Sequence, residues 1–255
     1  MVLLLFVDLD PDLAALRRLG GFFALRTAPS PAAAPQASLP TLAQVYAKGS
    51  ADVYGNPMTF RVRKVGDVLR SPEVRIAASV AQQGLAARLW SVALGCAALH
   101  DRIPDLDPRL LHWDPDGSAP DDLWLSAVRP LPADAETLAD VVLHAHLRPL
   151  TEHLHSRYRV AEGLLWGNAA SALAGAARQL DGWARAHGRT DVAARARART
   201  AELLAHPLLA GTGTLTGTAF RRRSCCLYYR VPGGGVCGDC CFTRPPRSSP
   251  RAASG

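Results

Sequence analysis

The chain has 255 residues, of which 48% are hydrophobic, 20% charged and only 6% aromatic, and its mean hydropathy is +0.02. This balance is typical of a soluble globular protein with a core, and the scarcity of aromatic residues argues against a large β-sandwich. No uncharged apolar stretch reaches the ~20 residues that a membrane crossing needs. We therefore expect an all-α or mainly α-helical protein that does not span a bilayer.

The first forty residues are predicted to form an N-terminal segment followed by a linker. The apolar run MVLLLFV has no basic residue before it and two aspartates soon after it, so it does not resemble a secretory signal, and we expect a cytoplasmic protein. Residues 27–40 carry four prolines among small residues, which is typical of a linker. A helix that docks on the rest of the chain is indicated by apolar residues at helical spacing: Leu13, Leu16, Leu19 and Phe23.

Helices are predicted to dominate residues 41–210. The longest begins at Ser71-Pro72-Glu73, where a capping hydroxyl precedes a proline and an acid suited to a first turn. Apolar residues then recur every three or four positions up to Leu99. Cys96 lies on this apolar face, so we expect a small buried side chain rather than a metal ligand. Further helices are predicted over 135–158, with a kink at Pro149, over 160–185 and over 190–205.

The region after the longest helix and the histidines that follow it are both interpreted as structural. Residues 101–122 are rich in aspartate and proline, which predicts mostly loops and turns, and residues 122–128 predict a short strand. Four histidines lie close together but lack the i, i+4 pairing of a helical zinc site, so solvated or capping roles are favoured over ligation: His144, His146, His153 and His155.

Small residues mark two further segments. A ridge at every fourth position of the 160–185 helix predicts the close approach of a neighbouring helix: Gly163, Gly167, Ser171 and Gly175. Residues 211–218, GTGTLTGT, lack the lysine and the glycine spacing of a phosphate loop, so we interpret them as a flexible tether.

The C-terminal 35 residues concentrate both positive charge and cysteine. They hold seven arginines and one acid, Asp239, so that +6 of the formal charge of +7 lies there, together with five of the six cysteines. Four cysteines follow the spacing C-C-x10-C-x2-C: Cys225, Cys226, Cys237 and Cys240. Disulfides are disfavoured in a reducing compartment, and a bond between adjacent cysteines is strained, so metal ligation is the better interpretation.

Three interpretations of these cysteines remain open from the residues alone. A single zinc ion takes four thiolates, but the adjacent pair Cys225-Cys226 is an awkward chelate for one small ion. A [2Fe-2S] cluster offers two irons that need two thiolates each, so it tolerates irregular spacing. Unligated or redox-active thiols are the third possibility.

The basic residues near the cysteines also have more than one explanation. Cations beside an anionic cluster stabilise its reduced state and raise its potential. Alternatively, the run is a solvated surface that docks an acidic partner, or the basic end binds nucleic acid. The residues concerned are Arg221, Arg222, Arg223 and Arg230.

The segments RRSCCLYYR and GGVCGDC resemble the C-terminal signature of the ferric-siderophore reductases, the FhuF-like iron–sulfur proteins. Three other segments resemble the helical body of that family, so that the resemblance spans roughly residues 40–241: ARLWSVALGCAAL (87–99), LHWDP (111–115) and LLWGNAASAL (164–173). The resemblance implies a cytoplasmic oxidoreductase that passes one electron from a [2Fe-2S] cluster to siderophore-bound Fe(III) and releases Fe(II). It implies the ligands Cys225, Cys226, Cys237 and Cys240.

Cys241 is an additional thiol beside the last of these positions, and a pairing of Cys237 with Cys241 stays open. Cys240 is preferred because C-x2-C is the common knuckle. On the substrate or redox-partner side the candidates are the four arginines named above together with Trp166 and Asn168, which could line a siderophore cleft.

The implied substrate is a ferric siderophore of the hydroxamate type. The sequence has no flavin or nicotinamide motif, so an external donor such as a ferredoxin is expected to supply the electron. We expect no nucleic-acid partner. Two alternatives remain: a non-catalytic [2Fe-2S] electron carrier, and a zinc-stapled protein that binds nucleic acid.

The expected organisation has four parts. An N-terminal segment and linker (1–40) precedes an α-helical reductase-like domain (41–210). A tether and cluster-binding segment (211–243) follows, and a disordered tail (244–255) ends the chain.

Overall fold

The computed structural model of the chain describes residues 10–27, 39–47 and 56–246. The predictions for residues 1–9, for most of the linker (28–38) and for the end of the tail (247–255) concern residues outside these ranges. Within them the protein is mainly helical with a cysteine-rich C-terminal segment, as predicted. None of the described helices is long and apolar enough to cross a bilayer.

Eight α-helices and seven short strands form the described part of the chain. The helices are α1 (Asp10–Ala15), α2 (Leu42–Tyr46), α3 (Pro57–Leu69), α4 (Val74–His100), α5 (Ala135–Leu138), α6 (Arg148–Tyr158), α7 (Glu162–Ala186) and α8 (Thr190–Leu204). The strands are β1 (Arg26–Thr27), β2 (Arg102–Pro104), β3 (Leu111–Trp113), β4 (Leu123–Leu125), β5 (Pro130–Pro132), β6 (Gly213–Thr216) and β7 (Ala219–Arg222).

Helix α4 is the centre of the core. It packs against α3, α7 and α8, and most of its side chains are buried because alanine-rich neighbours approach it closely. Cys96 is fully buried, as predicted. The helix begins at Val74 rather than at Ser71, whose hydroxyl donates to the Glu73 carbonyl, 2.9 Å away.

The N-terminal segment docks on α4, as its apolar spacing predicts. Leu13, Leu16, Leu19 and Phe23 are all buried. Gly95 provides room for this contact, since a Cβ there would lie 2.8 Å from the Phe23 ring. The segment is also held by Arg88, whose guanidinium donates to the backbone carbonyls of residues 21, 22 and 24 and pairs with buried Asp122.

Three small sheets lie beside the helices. Strand order is β1-β4-β3 in the first, with β1 parallel to β4, while β2 pairs antiparallel with β5. The short strand expected within 122–128 is therefore present as β4, and residues 101–122 are mostly loops and turns, as predicted, apart from the short strands β2 and β3. Their register is fixed by long-range pairing, which local aspartate and proline content does not reveal.

The tether prediction for residues 211–218 is wrong. Gly213–Thr216 pairs antiparallel with Ala219–Arg222 in the β6–β7 hairpin. Gly217 closes its turn with a φ of +61°, a conformation that favours glycine. The hairpin thus leads directly into residues 223–243, which carry the five clustered cysteines and are called the cysteine segment below.

The histidine-rich region departs from the predicted kinked helix. A nine-residue π-helix (Ala139–Leu147) joins α5 to α6, and Pro149 lies in the first turn of α6, where it is tolerated. His155 is exposed, which agrees with the solvated interpretation, and its Nδ1 bonds to the Val160 carbonyl just beyond the end of α6, 2.9 Å away. His146 is fully buried, so its solvated interpretation is wrong. Its Nε2–H donates to the Leu106 carbonyl (2.6 Å), and its Nδ1 accepts from the Tyr46 hydroxyl (3.0 Å).

This buried histidine is expected to make the protein less stable in mild acid. Burial lowers the pKa of His146 to about 4, whereas an unfolded histidine titrates near 6.5. As the pH falls below about 6.5, this histidine therefore binds a proton in the unfolded state but not in the folded state. We expect the free energy of unfolding to fall by about 2 kcal/mol between pH 8 and pH 5 from this group alone.

Denaturant titrations at the two pH values measure the effect. The matched variant His146→Gln keeps a donor and an acceptor but cannot titrate. The fall in its free energy of unfolding between pH 8 and pH 5 should therefore be smaller than that of wild type by about 2 kcal/mol. Equal pH dependence of the two proteins would contradict the prediction.

Candidate metal centre

The cysteine segment docks on the ridge of small residues along α7. Gly167 lies directly beneath it, because a Cβ at that position would lie 2.3 Å from the Ser224 hydroxyl oxygen. Ser224 in turn donates to the Gly163 carbonyl, 3.0 Å away. The prediction that this ridge admits a neighbouring helix is therefore wrong at Gly167, where the close approach serves the C-terminal segment.

Asp239 anchors the second pair of cysteines to α7. Its nearly buried carboxylate accepts hydrogen bonds from the Ser171 hydroxyl (2.6 Å) and from Arg178 (3.2 Å). Its backbone carbonyl accepts from the Arg222 amide at 3.0 Å, which ties the loop to β7. Sequence reasoning missed this role, although a single acid among seven arginines was a signal that the residue has a specific partner.

A second set of polar contacts ties the first cysteine pair to α4 and α7. Asn168 is fully buried, where it donates to the carbonyl and hydroxyl oxygens of Ser79 (both 3.0 Å) and accepts from the Arg222 guanidinium. The Ser79 hydroxyl donates to the backbone carbonyl of Cys226, 2.9 Å away. The resulting series Arg222–Asn168–Ser79–Cys226 fixes the position of the first pair.

The thiols form two groups, each with members from both ends of the motif. The Cys226 and Cys237 sulfurs are 3.6 Å apart. The sulfurs of Cys225, Cys240 and Cys241 all lie within 4.8 Å of one another. The adjacent cysteines therefore direct their side chains to different groups, which removes the difficulty of chelating one ion with neighbouring residues.

This arrangement fits a two-iron cluster better than one zinc ion. Metal–sulfur bonds of about 2.3 Å in tetrahedral geometry place two thiolates on one metal about 3.8 Å apart. The Cys226–Cys237 separation matches that value, and the second group supplies thiolates for a second metal. Two backbone amides already point at sulfur, Leu227 N at Cys225 (3.3 Å) and Phe242 N at Cys240 (3.4 Å), as is common around clusters.

The polar surroundings also suit an anionic group. Arg222 is 2% exposed, and its Nε and Nη1 atoms have no hydrogen-bond partner among the described residues. A buried cation with unused donors is strongly destabilising unless a negative group compensates it. An oxidised [2Fe-2S] cluster with four thiolates carries about −2, so it supplies the compensation.

The thiol pKa values differ between the groups. The hydrogen bond shared by Cys226 and Cys237 lowers the pKa of Cys226 to about 7 and raises that of Cys237. Burial raises the pKa of Cys225 to about 11, and burial also raises that of Cys241. Metal binding requires thiolates, so loading this site releases protons.

The structure distributes the other candidate residues differently from the sequence interpretation. Arg222 is buried, whereas Arg221 and Arg223 are exposed, so the run is not uniformly solvated. Arg221 donates to the Cys241 carbonyl (3.2 Å), and Arg230 pairs with Glu73 at the start of α4 (2.7 Å). Trp166 is half-buried against the core.

Comparison with known protein families gives two matches. The family described as ferric iron reductase FhuF-like transporter matches residues 76–214, and the FhuF 2Fe-2S C-terminal domain matches residues 222–242. No curated protein matches the chain. The first match covers more than half of the 255 residues, and the second coincides with the two thiol groups. The chain therefore belongs to the FhuF-like ferric iron reductase family, and its cofactor is a [2Fe-2S] cluster.

Proposed function

We propose that this protein reduces siderophore-bound Fe(III) to Fe(II) in the cytoplasm, so that the iron is released. The observation that carries the proposal is the convergence of thiols from both ends of the motif at a half-buried site. Cys225, Cys237 and Cys240 are each partly exposed, so an acceptor too large to enter the protein can still come close to the cofactor. Residues 211–243 would form the cluster-binding unit, and residues 41–210 the helical body that supports it.

The chemistry needs little from protein acids or bases. When bound, a [2Fe-2S] cluster supplies one electron at a time to a nearby acceptor. Siderophores hold hard Fe(III) through oxygen donors, and the Fe(II) produced by one electron is held less tightly and exchanges away. The role of this chain's residues is to hold the cofactor, to set its surroundings and to position the chelate.

For the ligands we propose Cys226 with Cys237 on one iron and Cys225 with Cys240 on the other. The short sulfur–sulfur distance supports the first pair. Two bonds favour Cys240 over Cys241: its amide donates to the Cys237 carbonyl (3.0 Å), which closes the C-x2-C turn, and its sulfur accepts from Phe242.

We propose a reduced ferredoxin, an acidic one-electron carrier, as the donor. The exposed side chains of Arg221 and Arg223 offer a basic surface beside the cysteine segment. Direct turnover with NADPH alone would contradict an external one-electron donor.

The test is anaerobic mixing of the reduced holoprotein with a ferric trihydroxamate, with an Fe(II) chelator present. We expect the visible absorption of the oxidised cluster to return and one Fe(II) to appear per electron. The redox-inert gallium(III) complex of the same siderophore is the control. Equal rates with the iron and gallium complexes would favour a non-catalytic carrier, and a colourless, zinc-loaded holoprotein would favour the zinc-stapled alternative.

A further inference from the structure

An open groove of about 360 Å³ lies beside the cysteine segment, between α4 and α7. This volume falls within the ~300–1,000 Å³ of small-molecule sites. The Cys237-Gly238-Asp239 turn forms one wall. Small side chains of the two helices leave the space open, among them Ala87, Ala172, Gly175 and Ala176.

The rim of the groove combines an exposed apolar surface with polar amides. Phe22, in the turn that follows the N-terminal helical segment, is 44% exposed and lines the groove. Gln83 on α4 and Gln179 on α7 line it with carboxamide groups. Apolar contact area with a few polar groups is the usual composition of a ligand site.

The formal charges in the groove cancel. Arg178 and Asp239 are the charged residues of its lining, and they form an ion pair with each other. A ferric trihydroxamate is neutral because three singly charged ligands balance Fe(III), whereas a ferric tricatecholate carries three negative charges. Because the lining cation Arg178 is already paired with Asp239, the described lining of the groove offers no free positive charge to an anionic chelate and suits the neutral one.

We propose that the ferric chelate docks in this groove and receives its electron across the wall formed by Cys237; this inference rests on the proposed reductase function. A reduced cluster held by the cysteine segment would supply one electron, which would convert the chelated Fe(III) to Fe(II), and an external one-electron carrier would then reduce the cluster again. No bond to the chelate forms or breaks in the electron-transfer step. Trp166 and Asn168, which the sequence suggested as the lining of a siderophore cleft, do not line this groove. The groove is bounded instead by the turn that contains Cys237.

Gly175 offers a way to fill the groove without disturbing the core. A Cβ added there would meet only the flexible end of Arg178, at 3.9 Å. Gly182 lies two turns further along the same helix, is exposed and has nothing within 4 Å of an added Cβ. Gly175→Leu is therefore the test variant and Gly182→Leu its matched control, and leucine favours a helix more than glycine does in both.

The experiment measures the rate at which a ferric trihydroxamate oxidises the reduced holoproteins in anaerobic stopped flow. We expect Gly175→Leu to react at least about tenfold more slowly than wild type, and Gly182→Leu to react at the wild-type rate. The small oxidant hexaammineruthenium(III), which does not need the groove, should oxidise all three equally. Unchanged visible spectra and midpoint potentials would show that the cluster itself is intact.

A second variant covers the case in which Gly175→Leu fails to load iron. Phe22→Ser removes exposed apolar area at the rim and is expected to slow the chelate reaction but not the reaction with the small oxidant. Equal chelate rates for the filled variant, the control and wild type would overturn the docking site while leaving the reductase function in place. A wild type that is oxidised no faster by the iron complex than by the gallium complex would overturn the function itself.

Discussion

Serine at Cys226 or at Cys237 is expected to abolish cluster binding. These two sulfurs lie 3.6 Å apart and come from opposite ends of the motif, so with the proposed ligand set either substitution would leave one iron with a single protein thiolate. A serine hydroxyl is a harder and far less acidic ligand, so it is a poor replacement for a thiolate in a cluster. Iron and acid-labile sulfide should both fall close to zero, and the visible absorption should disappear.

Cys240→Ser and Cys241→Ser form the decisive pair of controls. Both thiols lie near Cys225, but Cys240 has the amide bond from Phe242 and the closed turn. We therefore expect Cys240→Ser to lose most of its iron and Cys241→Ser to keep a wild-type spectrum. The reverse result would assign the fourth ligand to Cys241 and contradict the proposed set.

Replacing Arg222 with glutamine is expected to lower the midpoint potential of the cluster. The guanidinium is buried, and its charge contributes to lowering the pKa of Cys226 after the larger effect of the hydrogen bond with Cys237. A cation in such a place stabilises the reduced, more negative cluster. We expect a fall of about 60 mV, which corresponds to a tenfold change in the reduction equilibrium, and spectroelectrochemical titration measures it.

Two variants separate charge from packing. Arg222→Lys retains the cation but not the fork that reaches Asn168, so its potential should stay closer to wild type. Arg221→Gln removes an exposed charge that solvent screens, and its shift should be much smaller. Equal potentials for Arg222→Gln and Arg221→Gln would show that the buried charge does not tune the cofactor.

The sequence predicts the helical body well because its signals are local and repeated. The apolar face that leads to Leu99 corresponds to α4, and the spacing of Leu13 to Phe23 corresponds to the docked N-terminal segment. The sequence predicts β4 but not β1, β2, β3 or β5, because the pairing of these strands joins residues far apart in the chain, as between β1 and β4. The hairpin β6–β7 was missed because alternating glycine and threonine also suits an extended, unpaired segment.

The cysteine motif indicates the chemistry of the site but not its supports. Ser79, Ser171 and Arg178 belong to the helices, and nothing in their local sequence marks them as partners of a segment that follows much later. Gly167 is an instructive case: the spacing of small residues correctly predicts a close approach, yet the approaching element is a loop rather than a helix. Which element packs against the small residues of α7 depends on the tertiary structure and cannot be predicted from the local sequence.

The mainly polar attachment of the cysteine segment has a consequence for how the protein matures. Asp239, Asn168 and Ser79 hold the segment through hydrogen bonds, while the large apolar core is built mostly by the helices. The helical scaffold can therefore reach its folded state before any iron is supplied. We therefore expect that the cluster can be inserted after the helices have folded, and that protein which has lost its cluster by oxidation can be reloaded without new synthesis of the chain.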